Sequence, residues 1–152
     1  MKIYIAGAIT NNPNYREQFK QTEERLTAKG HTVINPCKNE GFTYREYINM
    51  GLCELMHCDA IYMLSGWESS VGAKLEYEYA KAVELRIIYQ RADNALINAD
   101  WEKAVGNVET VKEIACMFPA ASLCMPYLKQ LLKRYESGER TKELYELMLA
   151  VH

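Results

Sequence analysis

Between Trp67 and Glu76 the chain reads Trp-Glu-Ser-Ser-Val-Gly-Ala-Lys-Leu-Glu, running from the end of an apolar strand through a Ser/Gly turn into a helix. With an advance of about 100° per residue from Val71, the apolar residues Val71, Ala82, Leu75, Tyr79, Gly72, Val83 and Ala80 fill one side of that helix. Lys74, Glu78, Lys81, Glu84 and Tyr77 fill the other. Glu76 falls inside the apolar sector, between Val83 and Ala80. A carboxylate buried alone is costly, so it needs a partner, a raised pKa or an open pocket. Beside a turn that follows a strand, such a carboxylate has the setting of an active-site group, and Glu76 is the leading candidate. The blander reading is a Lys or Arg from another element that neutralises it.

The elements that must position Glu76 alternate. Lys2 to Gly7 is a short β run. Asn12 can cap a helix with Pro13 at its first position, after which Tyr15, Phe19, Thr22 and Leu26 recur at helical spacing until Gly30. His31 to Asn35 forms a second strand closed by Pro36. Thr43-Tyr44-Arg45-Glu46 has the form of a capping box and opens a helix with the stripe Ile48, Leu52, Leu55 and Met56. Ala60 to Leu64 is an almost unbroken apolar strand, as expected in a parallel sheet covered on both faces. The Glu76 helix follows, then a fourth strand, Ile87 to Gln90. This order predicts an α/β fold, a doubly wound parallel sheet of four to five strands with right-handed crossovers. Ligands in such sheets bind beyond the carboxyl ends of the strands. Gly7-Ala8, Asn35-Pro36 and the Ser65 to Gly72 turn all lie there.

After about residue 91 the pattern changes to helical segments, roughly 99–117, 122–135 and 141–151, split by Phe118-Pro119 and Ser137-Gly138. The domain reading is therefore an α/β domain over residues 1–91 and a helical extension over 92–152. In the extension Leu123, Tyr127, Leu131 and Leu132 can bury against the same domain or a second subunit.

Composition narrows the function classes. The 152 residues, 49% hydrophobic and 25% charged, suit one soluble globular domain with a real core. A net charge of −2 with no basic run argues against nucleic acid as a main partner. Ile3 to Ile9 is too short for a membrane span and runs into Asn11-Asn12-Pro13-Asn14 rather than a signal cleavage site. A cytoplasmic protein with no membrane partner is expected. The five cysteines form no repeated CxxC pair. Cys53, His57 and Cys58 have no second cluster at ligand spacing, so reduced thiols, no metal and no cofactor are expected.

The pattern Tyr4-Ile5-Ala6-Gly7 on the first strand, with Ser70-x-Gly72-x-x-x-Glu76 after the third, resembles the nucleoside 2-deoxyribosyltransferase superfamily. That group includes enzymes that exchange bases on 2-deoxyribose and deoxynucleoside 5′-monophosphate N-glycosidases. The fuller string Trp-Glu-x-Ser-x-Gly-Ala-x-x-Glu is closer to a phage and bacterial branch of it. The resemblance covers residues 2 to about 90. It implies that Glu76 is a nucleophile attacking the anomeric carbon, with Tyr4 orienting its carboxylate. It also implies that Ser70 binds sugar or phosphate, while Gly7, Ala8 and Gly72 border the ligand and Trp67 stacks on a base. Two departures stand out. The superfamily's aspartate on the second helix, eight residues before the one that matches Asp59, is Gly51 here. The acid that assists the leaving group or binds the sugar is then missing, unless Glu54 or a neighbouring subunit supplies one. The monophosphate glycosidases' Gly-Ser-x-Arg is Gly7-Ala8-Ile9-Thr10, which favours a plain nucleoside, or a nucleotide held differently.

Residue by residue, plainer roles stand beside these: Tyr4 as core, Ser70 as a helix N-cap, Trp67 as a core plug and Asp59 as a turn-stabilising group. Three classes follow: an N-glycosidic enzyme working through Glu76, a nucleoside or nucleotide-binding module that has lost turnover, and a partner-binding protein whose helical tail does the work. A homodimer or larger homo-oligomer is expected.

Overall fold

The computed structural model describes residues 1–98 and, after them, residues 113, 130, 133, 134, 137–139 and 141. The helical segments expected beyond residue 98, with Leu123, Tyr127, Leu131 and Leu132, lie almost wholly outside the described residues. The chain divides into two compact units between Ile87 and Ile88, and everything that builds the site belongs to the first.

Four strands, β1 (Lys2–Ala6), β2 (Thr32–Ile34), β3 (Ala60–Met63) and β4 (Arg86–Tyr89), form one sheet in the order β2-β1-β3-β4. Both pairings of β1 are parallel, with Tyr4 opposite Ile34 and Ile61. Helices α1 (Tyr15–Ala28), α2 (Tyr44–Leu55) and α3 (Val71–Ala82) connect the strands, and α4 (Gln90–Asn98) follows β4. This is the doubly wound α/β fold. All of β3 is buried, as are Ile3 to Ala6 of β1, because a central parallel strand is covered on both faces. Side chains alternate along a strand, so Tyr4 and Ile61 face one way and Ile5 and Tyr62 the other. Arg25 of α1 bonds the Tyr62 hydroxyl, whereas Glu76 of α3 bonds the Tyr4 hydroxyl. The two helices therefore cover opposite faces, and α2 packs beside α3.

Several local expectations hold in detail. Thr43 and Glu46 form the reciprocal capping box that starts α2. Ser70 caps α3, its Oγ accepting from the Ala73 amide at 3.2 Å. Asp59 ties the start of β3 to β1: its Oδ2 accepts from the Lys2 amide at 2.6 Å, and its own amide donates to the Lys2 carbonyl.

Three expectations are corrected. Helix α1 begins at Tyr15 rather than Pro13, because Asn12 folds into its own turn. Its Oδ1 accepts from the Asn14 amide and its Nδ2 donates to Ala8 O and Gln18 Oε1, the local competition typical of asparagine. A helix starts at Gln90, ahead of the expected start near Ala99. The buried face of α3 is also rotated from the expected sector: Val71 and Leu75 are 66% and 47% exposed, and Ala82 and Val83 are exposed too. Ala73 and Ala80 make the contact instead. Small residues bring a helix close to a sheet, so the two alanines set the inward direction and the bulkier apolar residues turn outward. Glu76 still lies on the inner side.

Candidate active site

Tyr4 is fully buried on β1, the second of the four strands. Its hydroxyl donates to Glu76 Oε1 at 2.6 Å across 72 residues of sequence, a length typical of an O–H donor on a carboxylate. Glu76 Oε2 has no hydrogen-bond partner among the described residues. Both residues line a cavity of about 400 Å³ at the carboxyl ends of β1 and β2. Glu76 keeps some surface toward this cavity, yet lost hydration dominates its ionisation and pushes its carboxyl up to about 7. The Tyr4 hydrogen bond works against that shift, and the Glu54 charge works with it. The Tyr4 phenol is held well above its ordinary value, first by burial and then by the Glu76 charge. Tyr4 therefore stays a proton donor at any physiological pH.

Gly51 explains how the pair is enclosed. A Cβ at this position on α2 would stand 2.7 Å from Glu76 Oε1 and 2.7 Å from the Tyr4 hydroxyl. The helix backbone packs directly on the hydrogen bond, and no side chain fits between them. An aspartate at residue 51 would need the pair to move. Glu54 sits one turn further along the same face. Its Oε2 is buried without a hydrogen-bond partner, and Glu54 is not one of the residues lining the cavity.

The rest of the wall comes from loops and helix starts. Gly7 lines the cavity, but a Cβ there would stand 2.8 Å from Leu64 Cδ1, so packing between the β1 and β3 ends already demands glycine. At Gly72 a Cβ would meet Ile48 Cδ1 at 2.9 Å; glycine here lets α3 start close against α2. Ser70 lines the cavity while serving as the α3 cap. The cavity is also lined by Tyr15 and Arg16 from the start of α1, by Cys37, Asn39 and Glu40 from the turn after β2, and by Tyr44 and Tyr47 from α2. Asn35 shapes that turn by accepting from the Cys37 amide at 3.0 Å, and the Tyr47 hydroxyl donates to the Asn39 carbonyl at 3.1 Å. Arg16 and Glu40 form a 3.0 Å ion pair at the exposed rim. Burial pushes the Cys37 thiol up to about 12, which leaves it a poor nucleophile.

The structure thus brings together five of the seven expected site residues: Glu76, Tyr4, Gly7, Ser70 and Gly72. Ala8 and Trp67 are not among those lining the cavity. Ala8 is buried and its carbonyl accepts from Asn12. Trp67 packs its ring on Tyr77, centroids 4.5 Å apart, with its Nε1 buried and unpartnered. The further lining by Tyr15, Arg16, Tyr44 and Tyr47 was not anticipated, although residues after the β1 and β2 ends are where a doubly wound fold puts ligand contacts. Among the described residues, no group of three His, Cys, Asp or Glu side chains can hold a metal ion, and no helix is long and apolar enough to cross a membrane.

A family model described as a domain of unknown function, DUF4406, matches residues 1–89, and the chain belongs to that family. No curated protein matches the chain.

Proposed function

For this member of the DUF4406 family, we propose an enzyme that breaks or exchanges the N-glycosidic bond of a 2-deoxynucleoside or nucleotide through Glu76, in the manner of the nucleoside 2-deoxyribosyltransferases it resembles. The observation that carries the reading is the 2.6 Å Tyr4–Glu76 hydrogen bond on the wall of a 400 Å³ cavity. That volume lies within the range of small-molecule sites. Tyr4 holds Oε1 and fixes the carboxylate plane, leaving Oε2 to attack C1′ of the sugar. The C1′–N bond breaks, its electron pair leaves with the base, and a glycosyl ester forms on Glu76. A second base, or water, then attacks C1′, its proton passing to the departed base, and returns the carboxylate. Attack requires ionised Glu76, and its carboxyl titrates near 7, so turnover rises as pH increases through neutrality. Ser70 and Gly72, at the start of α3, border the sugar in this arrangement.

One observation favours a second reading, a nucleoside or nucleotide-binding module without turnover. Residue 51 has no room for the acid that the resembled enzymes carry there. A base-release assay separates the two. Protein and its Glu76→Ala variant are incubated with deoxynucleosides and their 5′-monophosphates, with and without an acceptor base, and free base is followed by chromatography. Release or exchange by the parent alone supports the enzyme. Ligand binding by both with no release supports the binding module. The proposal also takes the protein as a cytoplasmic homodimer or larger assembly, and light scattering showing a strict monomer would contradict that part.

A further inference from the structure

We infer that Glu54 is a positioning residue of this site: from α2, away from the cavity, its carboxylate adds to the burial that keeps Glu76 protonated. Three observations place it there. Gly51 brings the α2 backbone onto the Tyr4–Glu76 pair, with Cβ clearance of only 2.7 Å to each. Glu54 follows on the same helix face three residues later, which directs its side chain toward the same region. Its Oε2 is buried with no hydrogen-bond donor, on a helix in contact with α3. A buried carboxylate oxygen without a donor is a costly arrangement.

Electrostatics supplies the role. The titratable groups acting on Glu76 are Tyr4, across the hydrogen bond from β1, and Glu54 from α2; Cys37, from the turn after β2, acts on Tyr4. Tyr4 favours the charged form of Glu76, while Glu54 opposes it because two nearby carboxylates resist ionising together. Glu76 is therefore poised between opposed influences, Tyr4 in contact with it and Glu54 on α2. Glu54 does not line the cavity, so it meets no ligand and works only through Glu76. Its kinetic consequence rests on the function proposed above. Its effect on the titration of Glu76 does not.

The test is the titration of Glu76 itself, read by carboxyl-carbon NMR on glutamate-labelled protein and assigned by Glu76→Gln. Parent, Glu54→Gln and Glu54→Leu are compared, the first variant preserving shape and the second also removing any donor. Both variants are expected to lower the Glu76 midpoint by about half a pH unit or more, roughly a threefold rise in the ionised fraction below the midpoint. An unmoved midpoint in either variant overturns the inference, since a shift with Gln alone would reflect its amide donor. The acid limb of base release should move with the midpoint. A moved midpoint with no base release in any variant would uphold Glu54 and count against the enzyme reading instead.

Discussion

Two tyrosines at the centre of the sheet show what separates a structural contact from a reactive one. Tyr4 on β1 and Tyr62 on β3 are both fully buried, and their side chains leave the sheet on opposite faces. Tyr62 accepts from a cation: the Arg25 guanidinium of α1 donates to its hydroxyl and also lies 5.4 Å from the ring centroid. Tyr4 meets an anion, Glu76, on a face that opens into the cavity. A guanidinium only donates, so the Tyr62 contact has a single proton arrangement. The anion is different, because desolvation drives its carboxyl toward neutrality while the phenol resists. Burial is the same in both places; partner charge and access to the cavity differ. On the Tyr4 side, the partner carboxyl of Glu76 is pushed up to about 7.

The comparison is broken most severely by Glu76→Gln. Gln can still accept from Tyr4, so folding and ligand binding persist while base release falls by at least about a thousandfold. The stability effect has a definite sign. The folded carboxyl titrates at about 7 against an ordinary 4.5, so the folded state binds protons more tightly. Stability from this group is full below about pH 4.5 and is lost as pH rises through 7. Urea unfolding should therefore show Glu76→Gln more stable than the parent by about 3 kcal/mol at pH 8.5, with little difference at pH 4.

Gly51→Ala is expected to come next. Its Cβ would collide with both members of the pair, costing about 1–3 kcal/mol of stability as overpacking does and displacing the Tyr4–Glu76 hydrogen bond. The combined loss, in unfolding and in ligand binding, checks it. On the opposite face, Arg25→Met should cost about 1–3 kcal/mol by removing the cationic partner of a buried hydroxyl. It should leave the Glu76 titration where it was, and a shift there would erase the distinction between the faces. Tyr4→Phe is the smallest and the sharpest. Loss of the one bond that favours ionised Glu76 raises its carboxyl further, moving the acid limb of activity to higher pH and reducing base release at pH 7 by about tenfold.

Much of the fold was legible because its signals were local. The buried run Ala60 to Met63, the Thr43–Glu46 box and the Ser70 cap each depend on a few adjacent residues, and each appears where the pattern put it. The start of α1 was misjudged because Asn12 had two local uses, and the turn prevailed over the cap. The inward direction of α3 was misjudged for a different reason. Counting apolar residues favoured Val71 and Leu75, but close approach to the sheet favours the smaller Ala73 and Ala80. Glu76 was legible as an isolated carboxylate; its partner Tyr4 was reached only through a family pattern, since no spacing rule joins residues 72 apart. Gly51 read as a missing acid. The structure shows it also as the clearance that lets α2 close over the pair, a tertiary fact with no local signature. The wall of Tyr15, Arg16, Tyr44 and Tyr47 is assembled from two helix starts and was invisible for the same reason.

The central claim is a covalent sugar on Glu76, and the stereochemistry at C1′ tests it most directly. A β-deoxynucleoside is turned over in methanol-containing buffer, and the fresh methyl glycoside is read by proton NMR before it can equilibrate. Two displacements through Glu76 predict net retention, a β-configured product, absent with Glu76→Gln. An α-configured product would mean that water or methanol attacks directly with Glu76 in another role, and no product at all would leave a site that binds without reacting; either result contradicts the account.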